Sequence, residues 1–165
     1  MVFIGPGAIR PLEIELDRLD RADDAEVKQH PKAVACEGDI VMNGLSTYLG
    51  ASALIESGTF PINRHIFRIR VHSALVLPEY LAIAINSRYV HEALIAGAGG
   101  SVMTMLRLEF LKQVLIPVPP RDIQIEIVRR VALAKEERSL VKRSLEHKEQ
   151  ALSVLVRDLD LGELA

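Results

Sequence analysis

The stretch IPVPPRDIQIEIV, residues 116–128, separates two kinds of sequence. It contains Pro117, Pro119 and Pro120, and no glycine or proline follows until Gly162. Proline is excluded from helix interiors because it lacks a backbone N–H and its ring clashes with the preceding turn. The stretch therefore predicts that one folded domain ends near residue 120 and that a single long helix follows.

The predicted helix begins at Asp122 as its N-cap and runs to about residue 160, before Gly162. Along it, positions spaced alternately by four and three residues form a heptad seam that is polar at Arg138 and Lys148. The eight apolar seam residues are Ile127, Val131, Ala134, Val141, Leu145, Leu152, Leu155 and Leu159. Such a helix would be ~54 Å long and could not bury its seam against itself. We therefore assign residues 121–165 to a dimerisation and spacer helix. We expect an antiparallel homodimer, because a parallel one would place Arg138 and Lys148 against their own copies.

Residues 1–120 predict an α+β domain of short elements. Strands are expected over 39–43, 51–57, 63–71 and 114–118, and short helices within 23–30, 78–86, 88–97 and 108–112. Pro78 fits the first position of its helix, and Gly97 fits a position just beyond the end of the next one. The order does not alternate strand and helix, which excludes a doubly wound sheet.

Composition narrows the class of protein. The single cysteine, Cys36, cannot form an intrachain disulfide and suits a reducing cytoplasm. The apolar segment near 75–95 is interrupted by Pro78, Glu79, Arg88 and Glu92, so no membrane span is expected. The N-terminus does not have the pattern of a secretory signal peptide.

The net charge of −2 hides an uneven distribution. Residues 1–56 carry five Lys/Arg and ten Asp/Glu, whereas residues 57–121 carry seven Lys/Arg and three Asp/Glu. The middle segment also contains His65, His72 and His91. This asymmetry fits either an interaction surface for a polyanion or an ordinary solvated surface.

No catalytic motif is present. The GAGGS segment, residues 97–101, lacks the spacing of a phosphate loop or a dinucleotide fingerprint. The histidines are not spaced as metal ligands, and one cysteine cannot make a C-x-x-C site. We expect no cofactor and no catalysis by this chain.

Nucleic-acid binding is the functional class that the residues favour most. The alternating segment NRHIFRIRV, residues 63–71, predicts basic side chains along one side of a strand. The predicted phosphate contacts are Arg64, Arg68, Arg70, His72 and Arg107, joined by Arg88, His91 and Lys112 from other elements. The predicted base contacts are Asn43, Ser46, Thr47, Tyr48 and Asn63, if a loop delivers them to a groove. Solvated surface residues are the alternative reading.

The ordered series of motifs resembles the specificity (S) subunit of type I restriction-modification systems. It consists of Gly38-Asp39-Ile40, then Pro78-Glu79-Tyr80-Leu81, Gly100-Ser101, the segment 116–120 and Gln124 through Val128. The resemblance covers nearly the whole chain. It departs at Ile123, where the family usually has an acidic residue, and at the N-terminus, where the family domain begins some tens of residues earlier.

The resemblance implies a compact DNA target-recognition domain followed by a long conserved helix. It adds Ser101 to the predicted DNA contacts. It implies double-stranded DNA, methyltransferase (M) subunits and endonuclease/translocase (R) subunits as partners, with S-adenosylmethionine bound only by the M subunit. A whole S subunit carries two recognition domains and two long helices. This chain has one of each, so it resembles a half subunit that would form a homodimer and read a bipartite target.

Two alternatives stay open from the sequence. The chain would otherwise be a recognition module detached from a fused restriction-methyltransferase, or a coiled-coil interaction module that does not bind DNA. The DNA target itself does not follow from the sequence.

Overall fold

The computed structural model describes residues 2–21, 34–45, 48–98 and 105–158. The chain forms two compact units, Met1–Ile125 and Glu126–Ala165. The predicted helix within 23–30 and the GAGGS loop beyond Ala98 lie outside the described residues.

The first unit contains several small antiparallel sheets. Strand β1 (Val2–Phe3) pairs with β4 (Asp20–Arg21), and β2 (Ile9–Arg10) forms a hairpin with β3 (Glu13–Ile14). Strand β5 (Val34–Cys36) pairs with β8 (Thr59–Pro61). A three-stranded sheet has β6 (Ile40–Asn43) at its centre, between β7 (Ser52–Leu54) and β9 (Ile66–Ile69). Two 3-10 helices, Pro6–Ala8 and Leu16–Arg18, complete the β-rich part.

Strand β6 is buried on both faces, which divides the core in two. Val41 belongs to one apolar cluster with Ile4, Ile9 and Ile66. Its neighbours Ile40 and Met42 point the other way and pack with residues of the helices, such as Leu94. Because side chains alternate along a strand, one four-residue strand joins both clusters.

Three short helices cover the second cluster. They are α1 (Pro78–Ile85), α2 (Arg88–Gly97) and α3 (Leu108–Leu111). Pro78 occupies the start of α1 as predicted, and the Ser87 hydroxyl caps α2 by accepting from Val90 N (3.4 Å). Gly97 is the last residue of α2 rather than a residue beyond its end. Glycine is needed there because a Cβ would collide with the ring of Phe110.

The predicted strand over 114–118 is absent from the described structure, where this segment pairs with no other strand. Pro117 has no N–H to give to a ladder, and Pro119 and Pro120 prevent an extension. The segment is instead held by side chains. The Tyr80 hydroxyl donates to Pro117 O (2.7 Å), and burial raises the pKa of that hydroxyl.

The long helix α4 (Arg121–Asp158) has 38 residues, about as long as predicted. It begins at Arg121 because Gln124 N already donates to Pro120 O (3.1 Å). Asp122 is therefore within the first turn instead of capping it, where its charge complements the helix dipole.

Gln124 fixes the first turn of α4 within the first unit, where it is fully buried. Its Oε1 accepts from Leu77 N (2.9 Å), and its Nε2 donates to Leu75 O and Pro119 O (both 2.8 Å). Arg121 adds a bond to Ala74 O (2.9 Å). The start of the helix is thus hydrogen-bonded to the loop before α1 and to the proline segment.

The second unit is the rest of α4. Between Glu126 and Asp158 no side chain that the structure describes is buried. The ion pairs of Glu126 with Arg129 (2.9 Å) and Arg130 (2.7 Å) lower the pKa of Glu126 to about 2, Arg129 being the larger cause. No described helix is long and apolar enough to cross a membrane.

Candidate nucleic-acid interface

Three segments of the first unit meet at one end of the central sheet. Gly44 N donates to His65 O (2.9 Å), and Leu106 N donates to Gly44 O (3.0 Å). Leu45 also forms an isolated bridge with Met105. The turn after β6, the turn before β9 and the segment before α3 are therefore neighbours, although they are far apart in sequence.

Two asparagines predicted to contact bases hold these turns together. The Asn43 side chain donates to Pro6 O (3.1 Å), accepts from Leu45 N (2.9 Å) and is 1% exposed. Asn63 Oδ1 accepts from His65 N (2.9 Å), which closes the turn before β9. Both asparagines shape the loops in this structure, and Asn43 exposes almost no polar surface.

Gly44 is required at the meeting point of these segments. A Cβ there would lie 2.6 Å from the ring of Phe67 and 2.8 Å from His65 O. Its hydrogen-bonded contacts to His65 and Leu106 therefore depend on the absence of a side chain.

Among the described residues of these three segments, the exposed ones are Tyr48, Arg64, Met105 and Arg107. Tyr48 is 41% exposed. The Arg64 Nε donates to the neighbouring His65 Nε2 (3.1 Å). We call Tyr48, Arg64, Met105 and Arg107 the loop cluster. It contains two arginines, an aromatic side chain and an apolar side chain on neighbouring segments, a combination that suits DNA.

Arg68 and Arg70 lie toward the other end of β9. The strand runs from Ile66, opposite Asn43, to Ile69, opposite Ile40, so its two ends are ~10 Å apart. Arg68 donates to Val34 O (2.6 Å) and is exposed. His72 is exposed beyond the strand end.

Arg70 makes a bidentate ion pair with Asp39. Its Nε lies 2.6 Å from Oδ1 and its Nη2 2.7 Å from Oδ2 of a carboxylate that is 1% exposed. The hydrogen bonds from Arg70 lower the pKa of Asp39, against the effect of burial, and the bond from Cys36 N (2.9 Å) adds to them. The pair holds the turn at Gly38, whose positive φ of 83° favours glycine.

Arg10 is a residue of this interface that its sequence pattern does not reveal. It belongs to β2, within a segment of net negative charge, and nothing in its spacing separates it from other surface arginines. In the structure its guanidinium lies 4.0 Å from the centroid of the Tyr48 ring. Arg10 and Tyr48 come together only because the β2–β3 hairpin packs against the rest of the domain.

The other residues predicted to contact DNA lie in different parts of the chain. Ser46, Thr47 and Ser101 lie outside the described residues. Arg88 pairs with Glu92 (2.8 Å) on α2, and His91 Nε2–H donates to Leu49 O (3.1 Å). Among the described residues, no group of three or more His, Cys, Asp or Glu side chains could hold a metal ion.

The second candidate surface is the apolar stripe of α4. Val141, Leu145 and Leu152 are 60%, 55% and 62% exposed, and Ala134 is exposed as well. Ile127 and Val131 are half-buried. The side chain of Leu155 and all of Leu159 lie outside the described part. Leu133, Leu140, Val154 and Val156, which are off the predicted seam, are also about half exposed or more.

Comparison with known proteins gives matches only in structure. No family model matches the chain. No curated protein matches it. The HsdS subunit from Thermoanaerobacter tengcongensis matches with a TM-score of 0.64 and 21% identity, over 93% of this chain and 40% of that one.

A second solved chain, from work on complex assembly and conformational transition of the type I R-M system, matches with a TM-score of 0.60 and 17% identity. It is matched over 94% of this chain and 36% of its own length. The chain thus spans less than half the length of either neighbour. The α+β fold with a long C-terminal helix is confirmed, and it is similar to part of the fold of HsdS, the type I restriction-modification specificity subunit.

Proposed function

We propose that the chain is a non-catalytic DNA-recognition subunit of a type I restriction-modification system, acting in the cytoplasm. The observation that carries the proposal is the match of 93% of the chain to an HsdS subunit. The loop cluster supports it from this chain's own residues, because positive and aromatic side chains from separate segments meet at one exposed end of the sheet.

The proposed mechanism is binding. Arg64 and Arg107 would contact phosphates, and Tyr48 would contact a base edge in a groove. Arg68, Arg70 and His72 would extend the phosphate contacts along β9, since Arg68 is exposed and the Arg70 side chain is 46% exposed. Of the three arginines in this segment, Arg64 is the one with no described bond to a carbonyl or a carboxylate.

We further propose that two copies pair through α4 to form an antiparallel homodimer. The stripe of Val141, Leu145 and Leu152 is uncovered, and burying a Val or Leu side chain contributes ~1.5–3 kcal/mol. A pair related by a two-fold axis would bury the same stripe on both copies.

A homodimer of this kind would read a bipartite target. A helix of 38 residues is ~57 Å long, and one turn of duplex DNA is ~34–36 Å, so half-sites with centres about 10–16 base pairs apart are expected. Two identical domains imply inverted repeats around an unread spacer. The dimer would also hold M subunits, which bind S-adenosylmethionine, and through them R subunits.

Salt-dependent binding of the purified chain to a random-sequence duplex tests the proposal. A recognition subunit should bind with a log Kd that rises steeply with log salt, because phosphate contacts release counterions. A coiled-coil interaction module without DNA binding would show no such complex. A module detached from a fused enzyme would bind DNA but would not co-purify with a separate methyltransferase subunit.

A further inference from the structure

We propose that Tyr48 contacts a base of the target and that Arg10 is the positioning residue that holds the Tyr48 ring in place. The inference rests on the proposed function, because it assigns two residues of the same DNA interface. The inference also assigns a role to Arg10 of β2, which is far in sequence from the other interface residues and makes no DNA contact itself.

Both terminal nitrogens of the Arg10 guanidinium already have partners. Nη1 donates to Gly7 O (2.9 Å) and Ile9 O (3.1 Å), and Nη2 lies 2.8 Å from Glu15 Oε2. The Arg10 side chain is 15% exposed. The same Glu15 oxygen pairs with Arg18 Nε (3.0 Å). A guanidinium held by both terminal nitrogens keeps its flat face for an aromatic ring, and that face lies on Tyr48.

The backbone of Tyr48 is fixed as well. Its carbonyl accepts from Ala51 N (2.9 Å), and Gly50 N donates to Asn43 O (2.8 Å). Gly50 has a φ of 78°, which closes the turn. Tyr48 is nevertheless 41% exposed, and its hydroxyl makes no hydrogen bond with another described residue.

This arrangement suits recognition. A tyrosine has few rotatable bonds, so holding its ring in advance lowers the entropy that binding must overcome. The ring can contact a thymine methyl group at a base edge. Arg10 cannot reach a phosphate without giving up its hydrogen bonds to Gly7 O and Ile9 O and its ion pair with Glu15. Replacing Arg10 should therefore weaken the base preference of the protein and leave the salt dependence of DNA binding unchanged.

The test selects bound sequences from a duplex library with a randomised region of about three helical turns. The full-length wild-type chain should enrich a motif. Tyr48→Leu and Arg10→Ala should both lose preference at the same base positions by about five- to one-hundred-fold, the range of one good base contact. Tyr48→Phe keeps the ring and should keep most of the preference. The double variant should lose no more than Tyr48→Leu alone, because Arg10 acts through the ring.

Arg18→Ala is the matched control. It removes the same charge from the same carboxylate, but Arg18 is not the guanidinium on the ring, so the motif should be unchanged. Should Arg10→Ala fail to fold by circular dichroism, Arg10→Lys replaces it. A lysine keeps the charge but loses the fork that bonds the carbonyls and Glu15, and it should relax the same positions.

The outcomes separate the two proposals. A wild-type chain that enriches no motif contradicts the proposed function. A wild-type motif that persists in Tyr48→Leu, or in the folded Arg10 variant, overturns the inference and leaves the proposed function standing. Loss at different positions in the two single variants also overturns it, since Arg10 would then not act through Tyr48.

Discussion

The two units of this chain differ in what stabilises them. In Met1–Ile125, two apolar clusters share strand β6, and polar side chains such as Asp39 and Gln124 are buried with their hydrogen bonds made. In α4 beyond Glu126, no described side chain is buried, and leucines of the stripe are more than half exposed. The first unit therefore carries its own core, whereas the helix needs a partner surface to bury its apolar side chains. If the first unit binds DNA and the helix pairs two copies, as proposed, then substitutions in one unit should leave the function of the other intact.

The largest effect is expected from a charge on the stripe. Leu145→Glu should convert the proposed homodimer into a monomer, because burying an unpaired carboxylate costs more than the ~2–5 kcal/mol of a large-to-small core change. Light scattering at tens of micromolar measures the mass. Gln150→Glu, which places the same charge on an exposed position off the seam, should remain dimeric. A Leu145→Glu variant that stays dimeric would show that the stripe is not the interface.

Gln124→Ala should destabilise the first unit. The substitution removes three hydrogen bonds and leaves Leu77 N without its described partner, so the free energy of unfolding should fall by about 2–4 kcal/mol. Chemical denaturation followed by circular dichroism measures it. Gln150→Ala, on the exposed part of the same helix, should change the free energy by less than about 0.5 kcal/mol. Equal effects of the two substitutions would mean that Gln124 does not lock the helix start.

The Asp39–Arg70 pair should make the first unit sensitive to acid. Arg70 holds the pKa of Asp39 below its ordinary value of 3.8, so the pair stabilises the fold above that value. The stabilisation is lost as the pH falls through the lowered pKa. Thermal melts should be recorded from pH 6 down to the pH at which the protein unfolds in acid. Below about pH 4, the Tm of the wild type should fall more steeply than the Tm of Asp39→Asn. Parallel curves would exclude Asp39 as a source of acid sensitivity.

The smallest effect is expected from single arginines at the DNA interface. Arg64→Ala should weaken binding of all duplexes alike and flatten the plot of log Kd against log salt by about one unit, with little change in stability. Arg68→Ala and Arg70→Ala should flatten it similarly if they too contact phosphates. Arg70→Ala should in addition lower the Tm, because it leaves the buried Asp39 carboxylate without its partner. A salt slope unchanged by Arg64→Ala would remove it from the interface.

The sequence predicted the elements with local signals. Pro78 marked the start of α1, the strand predicted over 39–43 contains β6, and the long helix begins within two residues of the predicted start. It failed over 114–118, where a β-branched run suggested a strand. The prolines and the bond from Tyr80 give that segment an unpaired conformation instead.

The candidate site depended on contacts that no local pattern encodes. Alternation along 63–71 placed Arg64, Arg68 and Arg70 on one strand side, but not the Asp39 that pairs with Arg70 from 31 residues away. Likewise, the bond between Leu106 and Gly44 joins segments that only the tertiary fold brings together. Arg10 stayed hidden for the same reason. Its partner ring is 38 positions away in the chain.

The central claim, a homodimer that reads DNA through two identical units, is tested most directly by sequencing methylated adenines at single-molecule resolution. The host would express this chain with a separate type I methyltransferase subunit and no second specificity chain. We expect methylation at a bipartite motif of two inverted half-sites, with centres about 10–16 base pairs apart and an unread spacer. A continuous motif, or two half-sites of different sequence, would contradict it.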